Sequence, residues 1–143
     1  MTILVIEADP RIYELYRSHL EAKGHEVGVA ADYNTAVSRR HQVENYDLII
    51  SDVDLGTGDF NGPAVVSELT KAGYDKLGVF CSGNINPGDA EEWKARWRAA
   101  VFDKSDLLGL FSHVDALAAH FYTTGTPQRQ FQINMTPLRP EGR

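Results

Sequence analysis

The sequence predicts an α/β protein: a doubly wound, parallel sheet of five strands alternating with five helices. Three observations carry that prediction. Short apolar runs recur five times along the chain, each bounded by turn residues and too short for a buried helix. Amphipathic stretches with an apolar stripe at helical spacing lie between them. The runs are continuously apolar rather than alternating, which marks strands buried on both faces and hence a parallel sheet covered by helices on either side.

Ile3-Leu4-Val5-Ile6 is the first such strand, and it ends in acid at Glu7, Ala8, Asp9. Asp9-Pro10 reads as N-cap and first helical position. The helix that follows carries Ile12, Leu15, Tyr16, His19 and Leu20 on one stripe and stops at Lys23-Gly24. His25 to Val29 is the second strand. Asp32 caps a second helix whose stripe is Tyr33, Ala36, Val37, Arg40 and Val43. Asp47 to Ser51 is the third strand, with Asp52 where it runs out and Gly56, Thr57, Gly58 and Asp59 in the loop beyond. A third helix spans Asn61 to Ala72. Leu77 to Cys81 is strand four, ending in Ser82-Gly83. Asn86-Pro87 opens a fourth helix, with Asp89, Glu91 and Glu92 suited to its positive end and Trp93 and Trp97 one turn apart. Those two indoles are expected either to pack or to offer a partner-binding face. Ala99 to Phe102 is strand five, followed by Asp103-Lys104-Ser105. The last helix, Leu107 to Tyr122, carries Leu108, Phe111, Val114, Leu117, Ala118 and Phe121. Residues 123–143 lose the helical periodicity and read as a tail, so truncation after Tyr122 should leave the fold intact.

At 143 residues the chain suits one domain with a real core, residues 1–122. A hydrophobic content of 43% and a charged content of 24% are ordinary for a globular protein. The net charge of −6 and a pI near 5.3 argue against direct nucleic-acid binding, which calls for a basic face. Cys81 is the only cysteine, so neither an intrachain disulfide nor a cysteine-rich zinc site is available. No basic, apolar leader opens the chain, and no apolar run approaches a membrane span. A cytoplasmic location is the simplest expectation.

In a parallel sheet the ends of strands one, three, four and five lie at one edge, where open α/β sheets bind ligands. Glu7 and Asp9, Asp52 and Asp54, Ser82, and Lys104 thus converge on one crevice. Carboxylates ~4 Å apart repel by ~4 kcal/mol at an effective dielectric of ~20, so a divalent cation or a lysine is needed between them. Magnesium suits such an all-oxygen site. A carboxylate there can act as nucleophile toward a phosphoryl donor, with Lys104, Ser82 and metal neutralising the transferring oxygens.

On Ile3-Leu4-Val5-Ile6-Glu7, Asp47-Leu48-Ile49-Ile50-Ser51-Asp52, Cys81-Ser82-Gly83 and Phe102-Asp103-Lys104, the chain resembles the receiver domain of bacterial two-component response regulators, over roughly residues 2–122. The resemblance implies a flavodoxin-like sheet of order 2-1-3-4-5. It implies Asp52 as phosphoacceptor, Lys104 as phosphate-pairing lysine and Ser82 as switch hydroxyl. Gly83 would leave room for the phosphoryl group, and Asp54 would lie where it can influence attacking water. Mg²⁺ would be held by Glu7, Asp52 and the Asp54 backbone carbonyl, with Asp9 as a further candidate if it is not committed to its cap. The implied partners are a histidine kinase or phosphotransfer protein and a downstream protein, met at the fourth helix, fifth strand and fifth helix; a homodimer is open. Any catalysis would be self-phosphorylation and self-dephosphorylation.

Three departures from the family pattern stand out. Ala8 occupies the place of a second acid that ligates metal directly, so weakened Mg²⁺ binding is expected. Ser105 stands where a proline follows a cis peptide, leaving the Lys104-Ser105 bond cis or trans. Val101 occupies the aromatic switch position. These motivate an alternative: a pseudo-receiver, an interaction module that does not depend on phosphorylation. A third reading comes from Asp52-Val53-Asp54-Leu55-Gly56-Thr57, which is similar to the first motif of haloacid-dehalogenase-type phosphohydrolases. That motif normally sits on the first strand of a larger chain, and no paired acids follow Lys104 to hold its metal.

Overall fold

The computed structural model describes residues 1–56, 58, 61–83, 86–97 and 99–124; Thr57, Asp59 and the tail beyond Thr124 lie outside the described residues. The strands are β1 (Thr2–Ile6), β2 (Glu26–Ala30), β3 (Leu48–Asp52), β4 (Leu77–Ser82) and β5 (Ala100–Asp103). The helices are α1 (Pro10–Ala22), α2 (Tyr33–Ser38), α3 (Gly62–Lys71), α4 (Pro87–Trp97) and α5 (Leu107–Thr124). All neighbouring strands pair in parallel, in the order β2-β1-β3-β4-β5. The fold class, the five alternations and the strand order are those expected.

Alternate strand residues feed two cores. Leu4, Ile6, Ile49 and Phe80 face α2, α3 and α4, where Val65, Leu69 and Trp97 complete the packing. Ile3, Val5, Leu48, Ile50 and Val79 face α1 and α5, against Tyr16, Leu20, Leu110 and Val114. β1 and β3 contribute to both, which is why they read as unbroken apolar runs.

The starts of α1 and α2 follow the side-chain chemistry read from the sequence, while α3 begins one residue later than expected, at Gly62, with Asn61 as its cap. Asp9, Asp32 and Asn61 each cap a helix, accepting from the backbone N–H of Arg11, Thr35 and Ala64. Asn86 accepts from Gly88 and Asp89 at the start of α4. The second helix is shorter than its apolar stripe suggests. It ends at Ser38 and continues as a 3-10 helix over Arg39–Asn45 with Gln42 outside helical geometry. That tightening rotates Arg40 out to solvent, off the expected stripe.

Two further placements correct the sequence reading, and a third decides between its alternatives. Leu15 is 45% and Leu108 83% exposed, so neither belongs to the buried stripe of its helix. Leu110, two residues on, takes the core place in α5. Trp97 is 1% exposed and packs on Phe80 at 5.5 Å, with Trp93 on the same ring at 5.4 Å. The two indoles therefore clamp α4 to β4, Trp97 fully buried and Trp93 half-buried. Strands β3, β4 and β5 each run one residue past the expected end, which brings Asp52, Ser82 and Asp103 into the sheet.

Candidate functional site

The register of the sheet assembles the site. Ile6 lies opposite Ser51, Asp52 opposite Cys81, and Ser82 opposite Asp103. The next residue along β1 is Glu7, and the next along β5 is Lys104. Residues 97 positions apart are thus brought within contact by strand pairing alone. The Glu7 N–H donates to the Ala30 carbonyl at 3.2 Å and the Lys104 N–H to the Ser82 carbonyl at 2.9 Å, so both backbones are still held in the ladder where their side chains turn into the crevice.

The centre is a triad of charges. Lys104 Nζ lies 3.1 Å from Asp52 Oδ2 and 3.2 Å from Glu7 Oε1, donating to Asp52 and to Glu7 Oε2. Both carboxylates are nearly sealed, Glu7 at 2% exposure and Asp52 at 5%. Burial raises the pKa of each; for Glu7 the nearby Asp52 charge adds to the rise, while the Asp9 N–H and Lys104 pull it back. For Asp52, Lys104 and the Asp54 N–H at 3.3 Å oppose the rise. Burial works against the lysine's charge, yet the two carboxylates outweigh it and hold its pKa above the ordinary lysine value. One ammonium therefore spans two buried acids at the mouth of a solvent-open crevice of about 280 Å³.

The rim is built from Ala8, Asp9 and Asp54. Asp9 is not free to turn inward: its Oδ1 caps α1, and both oxygens hold the Arg11 guanidinium, which keeps its carboxyl below the usual range. Asp54 turns its side chain to the Gly56 N–H at 2.7 Å. Ser82 is buried beside Asp52 at the end of β4. A Cβ on Gly83 would meet only Lys104 Cδ, at 3.9 Å. The Lys104-Ser105 bond is trans, no cis peptide being present among the described residues; Ser105 closes a turn onto the Asp103 carboxylate instead.

Two supports of the site were not singled out from the sequence. Ser51, fully buried, donates its hydroxyl to the Asp52 carbonyl at 2.9 Å. Gly62, the first residue of α3, approaches that carbonyl so closely that a Cβ would fall 1.9 Å from it. The Asn61-Gly62-Pro63 run was the available signal, since a glycine between a cap and a helical proline has little local reason to be there.

For a metal, the donor set is small. Among the described residues no three His, Cys, Asp or Glu side chains converge to hold an ion. Glu7 Oε1 is nonetheless buried 3.2 Å from the lysine's ammonium with no hydrogen bond. Two carboxylates and an open mouth fit Mg²⁺ that retains several of its waters, the usual state of that ion in proteins.

The sequence matches the family profile described as "Response regulator receiver domain" over residues 3–98. The chain belongs to that family. Receiver domains generally bind Mg²⁺ and interact with histidine kinases and downstream effectors. Solved structures agree on the fold. The receiver domain of the Francisella response regulator 1452 superposes with a TM-score of 0.67 at 19% identity, covering 80% of this chain and 93% of that chain. Chemotaxis protein CheY4 of Vibrio cholerae gives 0.64 at 22% identity, with 79% and 97% coverage. Response regulator TrrA of Thermotoga maritima, solved in complex with Mg²⁺-BeF, gives 0.65 at 25% identity, with 80% and 96% coverage. No curated protein matches the sequence. Membership in this family leaves the phosphohydrolase reading without support. No helix among the described residues is long and apolar enough to cross a membrane.

Proposed function

We propose that this receiver accepts a phosphoryl group on Asp52 from the phosphohistidine of a histidine kinase or phosphotransfer protein and signals through a protein partner. The observation that carries this reading is the Lys104 ammonium 3.1 Å from a carboxylate oxygen of Asp52 that ends the central strand at an open crevice. An Asp52 oxygen attacks phosphorus, the phosphorus–nitrogen bond breaks, and the imidazole leaves with its electron pair and takes a proton. Lys104 then exchanges its contact with the carboxylate for one with the phosphoryl oxygens. The Ser82 hydroxyl donates to those oxygens, and Gly83 leaves them room. Asp54 borders the path of the water that later hydrolyses the acyl phosphate. Glu7, Asp52 and the Asp54 carbonyl would hold Mg²⁺, which supplies charge neutralisation at the transferring group.

Intact-mass spectrometry after incubation with acetyl phosphate tests the reading. One Mg²⁺-dependent phosphate adduct is expected on the wild type and none on Asp52→Asn; an adduct retained by the variant would move the acceptor elsewhere. The kinase-loaded reaction should give the same pattern.

Ala8 favours a second reading, the interaction module independent of phosphorylation. With no acid at that position and Lys104 contacting both carboxylates, a metal would have one protein ligand fewer and an ammonium to compete with. Restoring the acid separates the two. Ala8→Asp is expected to tighten Mg²⁺ binding roughly tenfold or more, since added ligand charge is what tunes such sites. Titration calorimetry on both proteins reads this directly. Equal affinities would show that Ala8 is not where the metal site is weakened. Partner affinity unchanged between wild type and Asp52→Asn, with no adduct from kinase, would favour the interaction module.

A further inference from the structure

We propose that residues 130–136 of one copy add as a sixth strand to the outer edge of β5 of a second copy, so that the receiver forms a reciprocal, tail-exchanged dimer. The inference does not depend on phosphotransfer. It starts from the sequence beyond the described residues. Gln130 to Thr136 alternates strictly, with Phe131, Ile133 and Met135 apolar and Gln130, Gln132, Asn134 and Thr136 polar, and it is bracketed by Pro127 and Pro137. Period-two alternation bounded by prolines is a strand signature.

The sheet has two outer edges, and they differ. At β2 the Arg39 guanidinium reaches over the edge and donates to the outward carbonyl of Val29 at 3.3 Å. A side chain spent on an edge carbonyl is a recognised guard against strand addition. At β5 no described strand pairs with the outer side. Ala100, Val101 and Phe102 are each half-buried there. The Lys104 N–H is bonded inward to Ser82, so by alternation the amides of Val101 and Asp103 point outward. Phe102 lies against the His113 ring on the α5 side and Val101 packs on the α4 side. An added strand with one apolar face would extend either surface.

Topology selects the second copy over the same chain. α5 packs on the sheet face that carries α1, whereas α4 lies on the opposite face. A strand entering beyond β5 in parallel after α5 would make a left-handed crossover, and about 98% of such connections are right-handed. An antiparallel entry would require residues 125–129 to run back along the whole of α5, 18 residues or ~27 Å long, and five residues reach at most ~18 Å. A neighbouring copy meets neither restriction, and reciprocal exchange closes with two-fold symmetry. Charge favours the encounter: the residues after Tyr122 hold three arginines and one glutamate, +2, so of the whole-chain −6 the remainder carries −8.

Sedimentation equilibrium on the full chain and on full-chain Ile133→Pro, with amide exchange at Val101 followed by NMR, tests the proposal. Proline at 133 removes a strand amide without touching the receiver body, so the helical circular dichroism signal should be unchanged. The wild type is expected to dimerise and Ile133→Pro to be monomeric, with Val101 exchange at least about tenfold faster in the variant. A dimer that persists in Ile133→Pro would overturn the proposal. So would a wild type that is monomeric up to its solubility limit, including one with a protected Val101, which would place the tail on its own edge.

Discussion

Gly62→Ala is expected to lower the melting temperature by roughly 10 °C, a cost of about 3 kcal/mol at ~3–4 °C per kcal/mol for a domain of this size. The added Cβ would lie 1.9 Å from the Asp52 carbonyl oxygen and 2.7 Å from Ser51 Oγ. Neither obstacle is a flexible tip. The carbonyl belongs to the last residue of a central strand, and the serine is fully buried and bonded to it. Relief therefore requires α3 to back away, breaking the Gly62 N–H bond to the Val53 carbonyl at 2.9 Å. The residue that moves with that carbonyl is Asp52 itself, so the phosphate adduct should fall together with stability. Gly83→Ala is the matched control: its Cβ would meet only the lysine stem at 3.9 Å, and the change should stay within about 0.5 kcal/mol. Thermal unfolding of the pair decides the point, and equal melting temperatures would refute the close-approach argument.

Lys104→Met removes the only cation shown between two nearly sealed carboxylates. Stranding buried charge in this way costs about 3–5 kcal/mol in closed interiors. Here the lysine is 27% exposed at an open mouth, so a loss of about 2–3 kcal/mol at neutral pH is expected after solvent screening. The pH dependence follows from the direction of the shifts. Burial raises Glu7 and Asp52 above their ordinary values even with Lys104 present, so the folded state binds protons more readily than the unfolded one. Stability contributed by these two groups therefore rises as pH falls through their folded pKa values and levels off near the ordinary carboxylate range, about 4. The deficit of Lys104→Met should shrink along the same path. Glu7→Gln should melt higher than wild type at neutral pH, with the gain fading toward pH ~4. Melting curves across that range on all three proteins provide the check, and a Lys104→Met deficit independent of pH would mean the loss is packing of the lysine stem rather than charge.

Much of the site was legible in the chain because strand ends are legible. A short apolar run has to stop where the sheet stops, and in a parallel sheet every such stop lies at the same edge. Glu7, Asp52, Ser82 and Lys104 could therefore be grouped without knowing the strand order. The caps at Asp9, Asp32 and Asn86 were equally local, since a side-chain oxygen bonding an N–H two or three residues on depends on nothing distant. Leu15 and Leu108 were misread, and Trp97 was left open between packing and exposure, for the opposite reason. A helical stripe gives the direction of the buried face but not its width, and the width is set by the neighbouring helix and sheet.

The sequence by itself determined the alternation of strands and helices, the sheet's parallel character, the edge where the chemistry gathers and the residue types gathered there. Tertiary structure alone decided how those groups are shared. It gave both carboxylates to one lysine, committed Asp9 to Arg11 and the α1 cap, and seated Gly62 against the Asp52 carbonyl. It also guarded the β2 edge with Arg39 while leaving β5 without a described neighbour. The physical reason is range. Periodicity, capping and strand termination act over a few residues, whereas a hydrogen bond between positions 7 and 104 exists only once four strands have found their register.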